Sequence, residues 1–186
     1  MKYDKETALI VVDMQNDFAD PHGNLAVNGA LDLIPLVNYQ IGEASKAGSR
    51  IVYTRDWHPP VTPHFAKDGG LWPTHCVADT WGAEYHPDLF QPDENDHEVY
   101  KGEGQLDGFS GFEATDLGGY LNRQNVKKVV VIGLAMDYCV KATALSALDL
   151  GFDTTIIDRC VLSVNLEPED GNKAVFEMRQ KGVKFV

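Results

Sequence analysis

The amino-acid sequence predicts an α/β fold, in which a mainly parallel, six-stranded sheet is doubly wound and carries helices on both faces. Short apolar runs of strand length alternate along the chain with segments of helical periodicity, which is typical of this fold class. The run Val129 to Ile132 is continuously β-branched, as in a central parallel strand buried on both faces. Several apolar runs also end at a reactive side chain, and parallel strands bring such ends to one edge of a sheet.

The first part of the chain contains two predicted strands and one long helix. Thr7 to Val12 is the first strand, and a polar, turn-rich loop follows from Asn16 to Gly23. Apolar residues at helical spacing predict a helix over Ala30 to Ala47. Arg50 to Thr54 is the second strand.

A long irregular region separates the second strand from the third. Trp57 to Gln91 is rich in proline, glycine, histidine and tryptophan, and a loop of this length inside a compact domain is usually functional. His97 to Tyr100 is the predicted third strand. A glycine-rich segment, Gly102 to Gly111, leads from it to a helix at about Asp116 to Gln124.

The C-terminal part of the chain alternates strand and helix most regularly. A strand from Lys127 to Ile132 is followed by a corner and then by a helix from Val140 to Leu150. The remaining elements are, in order, a strand over Phe152 to Ile157, a helix over Glu167 to Lys181 and a last strand over Val183 to Val186. This alternation predicts parallel pairing through right-handed crossovers.

Composition limits the classes of partner and the compartment. A chain of 186 residues with 44% hydrophobic content suits one domain over residues 1–186. The net charge of −12 argues against nucleic acid and anionic membranes as partners, and fits a small neutral or cationic ligand. Three cysteines at unrelated spacings argue against a disulfide framework, so we expect a cytoplasmic protein. No apolar run is long enough to span a bilayer.

Four reactive side chains follow predicted strands at the same edge of the sheet: Asp13, Asp56, Lys101 and Cys139. Each has an ordinary explanation when taken singly. An aspartate often caps a turn, a lysine at a strand end is often solvated, and most free cysteines are small buried hydrophobes. Together they favour a reactive centre beyond the carboxyl ends of the strands, where open α/β sheets bind ligands.

Cys139 is the candidate nucleophile because the corner before the predicted helix from Val140 to Leu150 places it at or near a helix N-terminus. Unpaired backbone N–H groups and the helix dipole favour an anion there, which predicts a lowered thiol pKa. Cys76 and Cys160 lack a neighbouring strand-end acid or base, so we interpret them as packing residues.

A metal site is a second hypothesis. Asp56 and His58 are two residues apart at a strand end, and the long loop can return His75 as a third ligand. This donor set suits zinc, iron or manganese. The alternative is a hydrogen-bonded aspartate beside surface histidines. His64 is either a fourth ligand or a residue that caps the pocket.

Five separated segments resemble the nicotinamidase branch of the isochorismatase-like cysteine hydrolases. They are, in order, Ala8 to Phe18, Asp56-Trp57-His58, Trp72 to Val77, Tyr100-Lys101-Gly102 and Gly133 to Val140. The Asp, Lys and Cys elements are typical of the superfamily. The Asp-x-His and Trp-Pro-x-His-Cys-Val elements point to nicotinamidases.

The resemblance implies a Rossmann-like sheet and the hydrolysis of nicotinamide to nicotinic acid and ammonia through a cysteine thioester, a step of NAD salvage. It implies one divalent metal ion, with zinc the first choice over iron or manganese. Carried over position by position, it implies a catalytic triad of Asp13, Lys101 and Cys139, and metal ligands Asp56, His58 and His75, with His64 a ligand in some members only.

The resemblance also implies how the substrate is held. A cis peptide bond is expected at Leu134–Ala135, and the backbone N–H groups of Ala135 and Cys139 are the expected oxyanion-hole donors. The expected substrate-binding residues are Phe18, Trp72, Leu134 and Tyr138. In the run Gln105 to Phe109, the alignment with an aromatic pocket residue of the family is displaced by one position, so a role for Phe109 stays open.

Two other functions remain open at this stage. One is a related amidase or carbamoyl hydrolase that acts on a different small substrate. The other is a non-catalytic metal-binding or thiol-sensing protein, which would have no use for the strand-end Asp13 and Lys101. Dinucleotide binding is excluded because no Gly-x-Gly-x-x-Gly follows the first strand. A homo-oligomer is left open.

Overall fold

A computed structural model describes residues 2–103 and 108–186, and these residues form a six-stranded sheet in which every pairing is parallel. The strands are β1 (Thr7–Val12), β2 (Arg50–Asp56), β3 (His97–Lys101), β4 (Lys128–Leu134), β5 (Asp153–Leu162) and β6 (Lys184–Phe185). Their order is β3-β2-β1-β4-β5-β6. The direction of winding therefore reverses between β1 and β4, and the predicted doubly wound fold is confirmed.

Among the described residues, five α-helices cover the two faces of the sheet: α1 (Asn16–Ala19), α2 (Ala30–Lys46), α3 (Leu117–Arg123), α4 (Lys141–Asp149) and α5 (Asp170–Lys181). Leu9 and Val11 of β1 pack in one core cluster with residues of α2, whereas Ala8 and Ile10 pack in the other cluster with residues of α3, α4 and α5. Both faces of β1 are thus buried, which is why its sequence is a continuous apolar run.

The structure departs from the predicted elements in three places. A short helix, α1, replaces part of the predicted loop. Strand β5 continues past Ile157 to Leu162, because Cys160 and Val161 are buried although the intervening Asp158 and Arg159 are exposed. A π-helical turn, Met136–Val140, joins β4 to α4 where a simple corner was predicted.

The long region between β2 and β3 contains only short helical turns, Ala66–Asp68 and Trp81–Ala83, among the residues that the structure describes. Part of the predicted glycine-rich segment, residues 104–107, lies outside the described residues. Within residues 2–103 and 108–186, no helix has the length and apolarity needed to cross a membrane.

Candidate functional site

The four reactive strand-end residues meet at the carboxyl edge of the sheet. Asp13 follows β1, Asp56 and Lys101 end β2 and β3, and Cys139 lies in the turn after β4. Lys101 Nζ is 2.8 Å from a carboxylate oxygen of Asp13 and 3.4 Å from Cys139 Sγ, and it also forms an ion pair with Asp56. All four residues are buried. The structure therefore brings together the side chains that the strand-end pattern placed at one edge.

The carboxylate of Asp13 is oriented by the neighbouring strand. Thr54 of β2 donates its hydroxyl hydrogen to Asp13 Oδ1 at 2.6 Å, and the Asp13 N–H donates to the Thr54 carbonyl at 3.3 Å. Asp13 itself has a positive φ of 48°, so the chain turns sharply as it leaves β1. This arrangement directs the other carboxylate oxygen towards Lys101.

Burial and the shared ammonium group set the charges of the site. Burial raises the pKa of Asp13, although Lys101 opposes the rise. Burial by itself would lower the pKa of Lys101, but Asp13, Asp56 and Cys139 hold that pKa well above the usual lysine range. Lys101 is therefore a fixed cation between acidic groups.

The predicted lowering of the Cys139 pKa is wrong. Burial raises the pKa of this thiol well above its ordinary range, and the attraction of Lys101 only partly offsets that effect. The carboxylates of Asp13 and Asp56 also raise the pKa of the thiol, because they repel a thiolate. The thiol consequently needs an adjacent base, and the reactive atoms of Cys139, Asp13 and Asp56 lie within 4.8 Å of one another.

The turn that carries Cys139 has the backbone features implied by the resemblance. The Leu134–Ala135 peptide bond is cis, as expected. The Ala135 carbonyl accepts hydrogen bonds from the N–H groups of Tyr138 and Val140, at 3.0 and 3.1 Å. Gly133 precedes this bond with a φ of +110°, and a Cβ atom there would lie 2.2 Å from the Val12 carbonyl oxygen. Only glycine lets the two strand ends approach so closely.

Asp56, His58 and His75 form a candidate metal site, with one ligand atom from each residue inside a 4.8 Å cluster. The Nε2 atoms of His58 and His75 lie 3.5 and 3.8 Å from Asp56 Oδ2. Their Nδ1 atoms face the carbonyl oxygens of Gly102 at 3.0 Å and Pro73 at 2.8 Å. Because a carbonyl only accepts hydrogen bonds, each Nδ1 carries a hydrogen, and each Nε2 is the ring nitrogen left to bind a metal ion beside Asp56.

This arrangement of donors fits a divalent cation. Burial would raise the pKa of Asp56, but the ammonium group of Lys101 holds it well below the usual range, so the carboxylate is ionised. Two imidazole nitrogens and a carboxylate oxygen within 4.8 Å of one another form the donor set of a zinc-type site. The buried ring of His64 lies 5.3 Å from the ring of His58, beside this cluster rather than within it.

A cavity opens above Cys139. Its total empty space is about 390 Å³, which includes the part that is open to solvent. Its lining includes the four residues expected to bind substrate, Phe18, Trp72, Leu134 and Tyr138. The sequence reasoning missed the further apolar lining residues Leu25, Val27 and Val164, and Phe109, whose role was left open, lies in the same lining. The indole of Trp72 meets the Tyr138 ring edge-on at 5.0 Å. An apolar enclosure with polar groups at its base suits a small planar molecule that carries one reactive polar group.

A second, more open groove lies beside α2 and the end of β5, and its lining includes Tyr39, Glu43 and Arg159. It is the larger of the two spaces. None of the strand-end reactive residues lines it, so we place the candidate site in the smaller cavity above Cys139.

Comparison with known proteins agrees with this geometry. The isochorismatase domain model matches residues 7–186. A nicotinamidase/pyrazinamidase of Mycobacterium tuberculosis is 35% identical, over 96% of this chain and 97% of its own. The crystal structure of a pyrazinamidase of Pyrococcus horikoshii in complex with zinc superposes with a TM-score of 0.91 at 43% identity, covering 97% of this chain and 98% of the other. The structure of the yeast nicotinamidase bound to the inhibitor nicotinaldehyde gives a TM-score of 0.90 at 32% identity, covering 97% and 99%.

Proposed function

Since the chain belongs to the isochorismatase domain family, and within it to the nicotinamidase/pyrazinamidase hydrolases, we propose that it hydrolyses nicotinamide to nicotinic acid and ammonia in NAD salvage. The observation that carries this proposal is the buried cluster of Cys139, Lys101 and Asp13 at the base of an apolar cavity. The aromatic residues in its lining, Phe18, Trp72 and Tyr138, suit an aromatic ring, and a carboxamide on that ring would lie next to the sulfur atom.

The first step forms a covalent bond to the substrate. An amide is a poor electrophile, so its hydrolysis needs an activated nucleophile. Asp13 takes the proton of the Cys139 thiol, and the ammonium group of Lys101, 3.4 Å from Sγ, stabilises the negative charge on sulfur. A carboxylate with a raised pKa is a stronger base than an ordinary aspartate, which favours its taking the proton from the thiol. The thiolate then attacks the carboxamide carbon, and the carbonyl electron pair moves onto oxygen.

The backbone N–H groups of Ala135 and Cys139 are the proposed donors to this oxyanion. Each such donor contributes about 3–4 kcal/mol in known acyl-transfer sites. When the tetrahedral intermediate collapses, the C–N bond breaks and its electron pair leaves with nitrogen. Asp13 gives its proton to that nitrogen, so ammonia departs and a thioester to Cys139 remains.

The second step releases the acid. Asp13, again ionised, takes a proton from a water molecule, and the resulting hydroxide attacks the thioester carbon. The C–S bond breaks with its electron pair on sulfur, and Lys101 stabilises the thiolate until Asp13 returns the proton. The products are nicotinic acid and the starting form of Cys139.

Asp56, His58 and His75 would hold one divalent cation, for which zinc is our first choice. When bound, this ion supplies a Lewis-acid position for a ring nitrogen or a water molecule. In this proposal the chain's own residues perform the proton transfers. His64 stays a prediction as a fourth ligand.

The test is an ammonia-release assay on nicotinamide, run in parallel on a panel of aliphatic amides and carbamoyl compounds. We expect turnover of nicotinamide and much slower turnover of the panel, since the cavity lining is apolar and aromatic. Hydrolysis of an aliphatic amide without hydrolysis of nicotinamide would replace the proposed substrate with one from the related amidases. No hydrolysis of any amide would refute the enzymatic proposal.

A further inference from the structure

Gln15 holds both backbone polar groups of Asp56. Its Nε2 donates to the Asp56 carbonyl at 2.7 Å, and its Oε1 accepts the Asp56 N–H at 2.8 Å. The same Nε2 donates to the carbonyl of Ala83 at 2.9 Å. Gln15 is fully buried, so water does not compete for these bonds. One planar amide therefore fixes the backbone of a proposed metal ligand.

In a similar way, Asp17 holds the backbone of Cys76, the residue after His75. Its Oδ2 accepts the N–H of Cys76 at 2.7 Å. Cys76 has a φ of +44°, which a non-glycine residue adopts only when its surroundings hold it there. The Cys76 carbonyl in turn accepts the N–H of His58 at 2.9 Å. The carboxylate of Asp17 thus fixes the backbone that links two proposed ligands.

The surroundings leave little room for Asp17 to move. Its Oδ1 accepts the N–H of Asn24 at 2.9 Å, and only 3% of the residue is exposed. A Cβ atom on Gly82 would lie 2.0 Å from Asp17 Oδ2. The carboxylate is therefore enclosed, and each of its oxygen atoms accepts a hydrogen bond from a backbone N–H group.

The proposed metal ligands need such bonds because they come from separate segments. Asp56 ends β2, whereas His75 lies in a long region whose described part has only short helical turns. A metal site requires its ligands to be held within about 0.5 Å of their working positions. An irregular loop does not provide that accuracy by itself. Hydrogen bonds from Gln15 to the backbone of Asp56, and from the backbone of Cys76 beside His75 to Asp17, supply it.

We propose that Gln15 and Asp17 are positioning residues, which set the spacing of Asp56, His58 and His75 for a divalent cation. The inference rests on the metal site in the proposed function, and not on the identity of the amide. Asp13 lies in the same short segment as Gln15 and Asp17. This segment therefore supplies the proposed base and also positions the proposed metal ligands.

The test measures zinc affinity in Gln15→Met and Asp17→Asn, by competition with a chromogenic chelator. Asn16→Ala is the matched control. Asn16 is 2% exposed, and its side-chain amide donates to the Trp81 carbonyl at 2.7 Å. The control therefore removes a hydrogen bond of a buried side chain, and the acceptor of that bond is not part of a segment that carries a proposed metal ligand. Gly82→Ala is a second route to the same effect, because the added methyl group displaces the Asp17 carboxylate without changing its chemistry.

We expect zinc binding to weaken about 10- to 100-fold in Gln15→Met, Asp17→Asn and Gly82→Ala, as for other residues that orient metal ligands. Zinc affinity in Asn16→Ala should change by no more than about twofold. Urea unfolding in the presence of a metal chelator should nevertheless show a loss of stability comparable to that of the three test variants. Excess zinc should restore hydrolysis to the three test variants.

Zinc affinities equal to that of Asn16→Ala would overturn the proposal and leave Gln15 and Asp17 as ordinary structural residues. A wild-type protein that binds no zinc would overturn it as well, together with the metal part of the proposed function. Nicotinamide hydrolysis by that metal-free wild type would still leave the cysteine mechanism intact, so the two failures are distinguishable.

Discussion

The Nζ atom of Lys101 lies 3.4 Å from the Sγ atom of Cys139, and both side chains are buried. The same ammonium group forms ion pairs with Asp13 and Asp56. One cation is therefore shared by the proposed base, the proposed nucleophile and a proposed metal ligand. A change in any of these groups will alter the electrostatic balance of the others.

Replacing the proposed nucleophile, Cys139→Ala, should lower the rate of nicotinamide hydrolysis by at least about a thousandfold, because no thioester can form. Zinc affinity and the midpoint of urea unfolding should stay close to those of the wild type. Cys160→Ala is the control, since Cys160 is also buried but lies near the Leu36 carbonyl. Appreciable ammonia release by Cys139→Ala would assign the nucleophile elsewhere.

Removing the shared cation, Lys101→Met, should destabilise the protein by about 3–5 kcal/mol, because it leaves buried carboxylates without a partner. The loss should be smaller at lower pH. An unpaired buried carboxyl group has a raised pKa in the folded protein, so the folded state binds the proton more tightly and gains stability as pH falls. Urea unfolding at two pH values measures both effects.

The control for this variant is Lys128→Met, which removes a partly exposed partner of Asp4. Its effect should be much smaller, since exposed ion pairs contribute little. Equal losses of stability in the two variants would contradict the electrostatic role given to Lys101.

Gly102→Ala should weaken zinc binding by displacing His58. A Cβ atom at residue 102 would lie 2.6 Å from His58 Cε1 and 2.8 Å from Nδ1. Gly151→Ala is the matched control, because its φ of +89° is close to the +79° of Gly102 but nothing lies within 4 Å of the added atom. Chelator competition should show at least a tenfold loss of affinity in Gly102→Ala only. The same affinity in both variants would argue against His58 as a ligand.

Metal removal should lower kcat/KM for nicotinamide mainly by raising KM, since we assign the metal to substrate positioning. Readdition of zinc should reverse the loss. Zinc at a hundred times its Kd should also stabilise the folded protein by about 2.7 kcal/mol, which a thermal unfolding scan detects. Undiminished kcat/KM in a sample shown by elemental analysis to be metal-free would refute the assignment.

Most of the sheet and the rim of the site were predictable because both follow from local pattern. The apolar runs mark the strands, and parallel pairing brings the residues beyond their carboxyl ends to one edge of the sheet. Asp13 and Cys139 could thus be placed at the same edge without coordinates. Strand β5 was predicted too short because Asp158 and Arg159 interrupt its apolar run, although they point outward.

The features that could not be predicted from the sequence depend on contacts between distant parts of the chain. The direction of the Cys139 pKa is decided by burial and by the opposing charges around it, which no local pattern contains. Gln15 was given no role and Asp17 was taken for a polar loop residue, because their partners lie 41 and 59 positions away in the chain. Phe109 could not be assigned to the cavity until its 5.7 Å contact with Tyr138 was seen.

The strand order has a consequence for how the protein is made. On one side β1 pairs with β2, but on the other Thr7 pairs with Lys128 of β4, which the ribosome delivers much later. At ordinary translation speeds this edge of β1 waits on the order of ten seconds for its neighbour. During that interval an apolar strand with an open edge is exposed to other nascent chains, so early protection by a chaperone should matter more for yield than the stability of the finished enzyme.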